Sequence, residues 1–78
     1  MSIGKAELQS ALLGVMSGEW MEVARWMVEV LEERGYIYFR DGREGKAVKL
    51  AELGESPNPA RYIATVTKAG EEFMRPPQ

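Results

Sequence analysis

The chain has 78 residues, no cysteine and no histidine, and carries twelve acidic against ten basic side chains for a net charge of −2. That length implies one domain spanning residues 1–78 with a marginal core, since a domain of this size buries only about 60–65% of its unfolded surface. The composition leaves no disulfide, transition-metal site or histidine-based nucleophile, no run near the roughly 20 apolar residues of a membrane span, and no overall attraction to nucleic acid, so we expect a cytoplasmic, non-enzymatic protein without cofactor or metal.

Ser2 is positioned to cap a first helix in which Leu8, Ala11, Leu12, Val15 and Met16 recur at helical spacing and form a core-facing stripe. Gly14 inside that stripe points to close packing against another backbone, and Ser17-Gly18 is the natural stop. A second helix is expected over residues 20–34. At 100° per residue Trp20, Val23, Ala24, Met27, Val30 and Leu31 share a broad apolar face, while Glu22, Arg25, Glu29, Glu32 and Glu33 crowd the other side. Trp26 lies at one border of the apolar arc, Met21 and Val28 at the other. Cover by the first helix and the sheet is the favoured reading for these flanks. The sharper alternative makes Trp26 an exposed anchor for a protein partner.

Gly35 follows Arg34 and suits the left-handed cap of a helix C-terminus. Tyr36–Arg40 then reads as a strand, Asp41-Gly42-Arg43-Glu44-Gly45 as a hairpin tip, and Lys46–Ala51 as the returning strand. The segment 54–59, with Pro57 and Pro59, is a loop, and Arg61–Val66 forms a third strand. Thr67 caps a short helix, Lys68–Met74, before Pro76-Pro77.

The junction Leu31-Glu32-Glu33-Arg34-Gly35-Tyr36-Ile37 and the ending Tyr62-Ile63-Ala64-Thr65-Val66-Thr67-Lys68-Ala69-Gly70-Glu71-Glu72-Phe73 resemble a winged-helix domain of the bacterial regulator kind. In that family a recognition helix ends at such a glycine and a threonine caps the closing helix. The resemblance implies an α+β fold: two packed N-terminal helices, a three-stranded antiparallel sheet with a β-hairpin wing, and a short C-terminal helix. We expect the strands to run as a meander. The chain departs from the family in three ways, one of them an insertion around Pro57 and Pro59 that lengthens the wing. The short helix normally found before the recognition helix is missing, and the exposed side of that helix is acidic where DNA readers carry bases or neutral polar groups.

Two functions follow. The resemblance implies a DNA-binding transcriptional regulator, possible as a homodimer, in which Arg25, Arg40, Arg43, Lys46, Lys49 and Arg61 contact duplex DNA, Arg43 and Lys46 foremost. The alternative is a protein-binding adaptor, or a phage-type inhibitor of a host nucleic-acid machine such as an anti-CRISPR or polymerase inhibitor, using Glu22, Trp26, Glu29 and Glu33. A mixed, solvated hairpin is the plain reading of the interleaved charges. Gly42-Arg43-Glu44-Gly45-Lys46 lacks the spacing of a phosphate loop and reads as a turn. Both functional readings rest on a continuous helix over residues 20–34 and on activity residing in surfaces; a break in that helix would remove their footing.

Overall fold

The computed structural model describes residues 3–55 and 57–75. Its first helix, α1 (Lys5–Met16), has Gly4 at the N-cap with no side-chain cap, so it starts downstream of Ser2, which lies outside the described residues. Leu8, Ala11, Leu12 and Val15 are buried as their spacing requires, but Met16 is 51% exposed because its side chain points about 100° away from that of Val15. The helix stops where expected. Gly18 takes φ 81°, and the N–H groups of Gly18 and Glu19 donate to the carbonyls of Val15 and Gly14, satisfying the helix end. Gly14 is indeed a site of close approach, although what approaches it is a side chain: a Cβ there would lie 2.9 Å from Val23 Cγ2.

Residues 20–34 are not one helix. Trp20–Glu22 forms a single 3-10 turn, Val23 and Ala24 are extended with ψ of 140° and 132°, and helix α2 runs over Arg25–Glu33. A straight helix fixes every side chain at 100° increments and cannot satisfy all the packing demands of this stretch at once. The break lets Trp20 reach the core, edge-on to Phe39 at 5.0 Å between ring centroids, and lets Val23 occupy the space beside Gly14. Helix α2 is then free to turn Val28 and Leu31 inward, both essentially inaccessible, which shifts its buried axis by roughly 65° from the expected one. Val28 therefore belongs to the core, and Trp26, 54% exposed, is not covered by α1 or by the sheet.

Helix α2 ends as its sequence dictates. Gly35 has φ 78°, its N–H donates to Glu32 O and that of Tyr36 donates to Leu31 O, so the chain reverses directly into strand β1 (Ile37–Asp41). Along β1 the side chains alternate: Ile37, Phe39 and Asp41 are buried, Tyr38 and Arg40 face outward. Strand β2 (Lys46–Val48) pairs antiparallel with it, Phe39 opposite Val48 and Asp41 opposite Lys46. The returning strand is shorter than expected. Leu50 turns inward to 1% exposure, and Leu50–Leu53 coils as a 3-10 turn in place of further strand.

Strand β3 (Tyr62–Val66) pairs with the other edge of β1, giving the order β2-β1-β3 instead of a meander. The reason lies in the core: β3 sets half-buried Ala64 and Val66 opposite Phe39 and Ile37, a contact that the three residues of β2 cannot supply. The result is an α+β arrangement of three helices and an antiparallel three-stranded sheet.

Helix α3 (Lys68–Met74) closes the fold. Thr67 Oγ1 accepts from Gly70 N–H at 3.1 Å and its hydroxyl donates to Gly35 O at 2.6 Å, tying the start of α3 to the end of α2. Thr67→Ala is expected to cost about 1–2 kcal/mol in urea unfolding, with Thr67→Ser retaining most of it, because the serine hydroxyl reaches both partners.

Candidate interaction surfaces

The six bases assigned to nucleic acid from the sequence do not form one surface. Arg25, half-buried at the start of α2, donates from Nη1 to Gly54 O at 2.8 Å and from Nη2 to Leu50 O at 3.1 Å, with Glu29 Oε1 3.7 Å from its Nε. Glu32, one turn beyond Glu29, accepts the Leu50 N–H at 2.8 Å. Two charges of α2 thus clamp the 50–54 segment against the helix. This role was illegible in the sequence because residues 50–51 read as the end of a strand and residue 54 as the start of a loop.

Arg61 is also spent inside the fold. Its Nε and Nη2 donate to the two oxygens of Asp41 at 3.1 and 2.9 Å, and Asp41 Oδ1 accepts further from the N–H groups of Arg43 and Glu44. Asp41 is 2% exposed. Its carboxylate therefore fixes the hairpin tip from below while Arg61 neutralises it. The signal was present, since an aspartate opening a turn commonly accepts from the N–H groups two and three residues on.

The hydrogen bond from Arg61 holds the Asp41 carboxyl well below its ordinary value of 3.8, outweighing the opposing effect of burial. A depressed folded-state pKa means that the pair's contribution to stability is complete above about pH 5 and is lost as the pH falls through 4 and below. Urea midpoints measured from pH 7 to pH 2 should fall along that limb. In Asp41→Asn the midpoint at pH 7 should be lower and the acid limb shallower.

Arg40, Arg43, Lys46 and Lys49 remain on the hairpin and all are exposed. Lys46 Nζ lies 3.3 Å from Glu44 Oε2, and among the described residues Arg40, Arg43 and Lys49 have no ion-pair partner. They also diverge. Arg40 stands on the outer face of the sheet, opposite Ala47 and Ile63, whereas Arg43 sits in the tip.

The acidic residues behave differently. Trp26, Glu29 and Glu33 recur at i, i+3 and i+7, so they share the outward side of α2, and all three are exposed. The one base within reach, Arg25, is turned towards carbonyls of the 50–54 segment. Glu22 is exposed as well but sits on the 3-10 turn before the break, off this helix face. The result is a large aromatic side chain bordered by carboxylates.

A shallow groove of about 320 Å³ between the end of α2 and β2 brings Glu32 and Glu52 near Tyr38, Lys49 and Thr67. Both carboxylates are occupied, accepting the backbone N–H groups of Leu50 and Lys49, so the groove holds no poised acid and base. Comparison of the chain with protein-family models, with curated proteins and with solved structures finds no match in any of the three.

Proposed function

We propose that the chain is a binding module whose exposed α2 face docks a protein partner with a basic surface. The observation that carries this reading is Trp26, 54% exposed on a short, well-anchored helix with Glu29 and Glu33 beside it. A tryptophan is costly to leave in water and is among the side chains most enriched at interface centres, where it fills a pocket while surrounding charges steer and orient the encounter. Carboxylates without a free base on the same face select a positively charged counterpart. Nucleic-acid-handling proteins present such surfaces, and an acidic helix occupying one would act as an inhibitor or adaptor.

The order of elements supports a winged-helix-type architecture, with the 3-10 turn at Trp20–Glu22 standing where the family's short helix would be. It does not favour α2 as a DNA reader. The long helix on which both sequence readings rested is absent, so the partner reading now stands on exposed Trp26 of α2 alone, and the DNA reading loses its recognition helix: α2 has nine residues, and its outward side would meet phosphates with carboxylates. Duplex DNA could still be touched through Arg40, Arg43 and Lys49. Three phosphate contacts would give weak binding that loses roughly 40-fold in affinity between about 50 and 200 mM salt.

Fluorescence anisotropy with labelled duplex DNA at about 50 mM salt is expected to show no saturable binding. Saturable, salt-sensitive binding that disappears in Arg43→Ala/Lys49→Ala would overturn the reading. Trp26→Ala is expected to change stability by no more than about 0.5 kcal/mol, since its side chain points to solvent, and Glu29→Lys to cost about 1 kcal/mol, since it also turns the i,i+4 ion pair with Arg25 into a like-charge contact. The same variants should weaken partner binding by about 30-fold or more.

A further inference from the structure

The exposed α2 face adjoins a groove that the core leaves open. Where α1 and α2 pack together, a trough of about 340 Å³ is lined by Glu7, Ser10 and Ala11 of α1 and by Val23, Ala24 and Met27. Its floor is apolar, with Ala11 buried and Val23 and Met27 half-buried. At 100° per residue Met27, Val30, Trp26, Glu33 and Glu29 follow one another around α2. The groove therefore runs through half-buried Val30 to exposed Trp26, and carboxylates begin only beyond the tryptophan. On the α1 rim stands Glu7, also exposed. The outcome is an apolar strip with acids along both margins.

Those acids are not offset by bases. Glu29 has Arg25 Nε at 3.7 Å, but that guanidinium donates to the carbonyls of Leu50 and Gly54. Glu7 and Glu33 have no ion-pair partner among the described residues. Lys5 lies on the other flank of α1, its Nζ 5.9 Å from the centre of the Phe73 ring, and Arg34 stands about two turns of helix beyond Met27.

The chemistry of an occupant follows from this layout. Nucleic acid and anionic membrane surfaces are repelled by both margins. An extended peptide would lay unpaired backbone N–H and C=O groups on an apolar floor, because side chains and not a free strand edge line the groove. A helix satisfies its own backbone, and apolar residues at i, i+3, i+4 and i+7 give it one stripe to set into the strip while lysines or arginines reach both margins. Among the described residues no helix of this chain has that pattern, which excludes a second copy. The outer side of α1, with Ala6, Ser10, Leu13 and Ser17, is uncharged, α2 is acidic, and α3 sets Glu71 and Glu72 beside its one base, Lys68.

We propose that this groove, continuous with Trp26, takes a basic amphipathic helix of a protein partner, one apolar residue seating over Ala11, Val23 and Met27 while another covers Trp26. The proposal rests on the docking role of Trp26 and adds to it a second contact, on α1, and a conformation for the partner. Met27, unbranched and polarisable, adapts the floor to the side chain it receives.

The test is fluorescence anisotropy at about 150 mM salt with a labelled peptide of about 18 residues, leucine at i, i+3, i+4 and i+7 and lysine elsewhere. Saturable binding with a dissociation constant of about 1–100 μM is expected, and at least about tenfold weaker binding of a peptide of the same composition with its leucines scattered. Ser10→Arg sets a cation at the mouth of the groove and Glu7→Lys reverses its α1 margin. Each should weaken binding about tenfold, whereas Glu72→Lys, on α3 at the opposite flank of α1, should change it less than about twofold. All three side chains are exposed, so circular dichroism should be unchanged, and Glu7→Lys serves if Ser10→Arg does not fold. No saturation by about 1 mM protein would overturn the proposal, as would equal binding of the two peptides or wild-type binding by the folded Ser10→Arg and Glu7→Lys variants. If in that last case Trp26→Ala still abolishes binding, the docking role of Trp26 stands and the groove alone is struck out.

Discussion

Phe39→Ala is expected to remove much or all of the stability of the fold at 25 °C. Phe39 is the largest fully buried side chain, at 0% exposure, and it sits on the central strand with β2 on one side and β3 on the other. Its ring meets Trp20 edge-on, so truncation loses that contact and opens a cavity where α1, the 3-10 turn and the sheet converge. Removing a buried phenylalanine costs about 3–5 kcal/mol. A domain of this length has only about 4–12 kcal/mol in total, so the loss consumes much or all of it. Urea unfolding followed by tryptophan fluorescence reads the result directly. A midpoint within about 0.5 M of the wild type would mean that Phe39 is not the centre of the core.

Gly70→Ala is expected to be the next most damaging change, although it adds a single methyl group. The α3 helix starts so close to the sheet that a Cβ at residue 70 would collide with the carbonyl oxygen of Tyr36 and would lie 2.8 Å from Val66 Cγ1. The Tyr36 carbonyl cannot yield, because it accepts the Thr67 N–H at 2.9 Å and joins the end of α2 to the beginning of α3. Alanine is the better helix former, so helix propensity alone predicts a gain of nearly 1 kcal/mol. Steric overlap against a fixed backbone atom outweighs it, and we expect a net loss of about 1–3 kcal/mol, with the stacked Tyr36–Phe73 pair at 4.5 Å disrupted as α3 lifts away. Stabilisation by Gly70→Ala would contradict this placement of α3.

What the sequence made legible and what it concealed differ for a physical reason. Signals written in one or two adjacent residues were readable: Gly18 and Gly35 as helix stops, Thr67 as a cap, and the period-two alternation of Tyr36–Arg40, although Asp41, read as part of the tip, in fact continues it inward. Features set by competition between distant parts of the chain were not. Periodicity alone runs on from Trp20 to Arg34, and nothing local announces that Gly14 and Phe39 require Val23 and Trp20 to leave that helix. The pairing of β3 with β1 is likewise decided by which side chains complete the core.

The candidate sites show the same division. The resemblance assigned six cations to duplex DNA, yet two of them, Arg25 and Arg61, are held by carbonyls of residues 50 and 54 and by Asp41. Charge that stabilises a fold and charge that awaits a partner are identical in a sequence and are told apart by their hydrogen bonds. Trp26 was expected beneath cover and stands in solvent, so the less favoured of its two readings now carries the functional proposal.

That proposal is tested most directly by photo-crosslinking in the native host, with benzoylphenylalanine placed at Trp26 in one variant and at Arg43 in another. Irradiation should yield a protein adduct from position 26 that is lost when Glu29 and Glu33 are both changed to lysine, and no DNA adduct from position 43. A DNA adduct from position 43, with position 26 bare, would show that the hairpin and not α2 is the working surface.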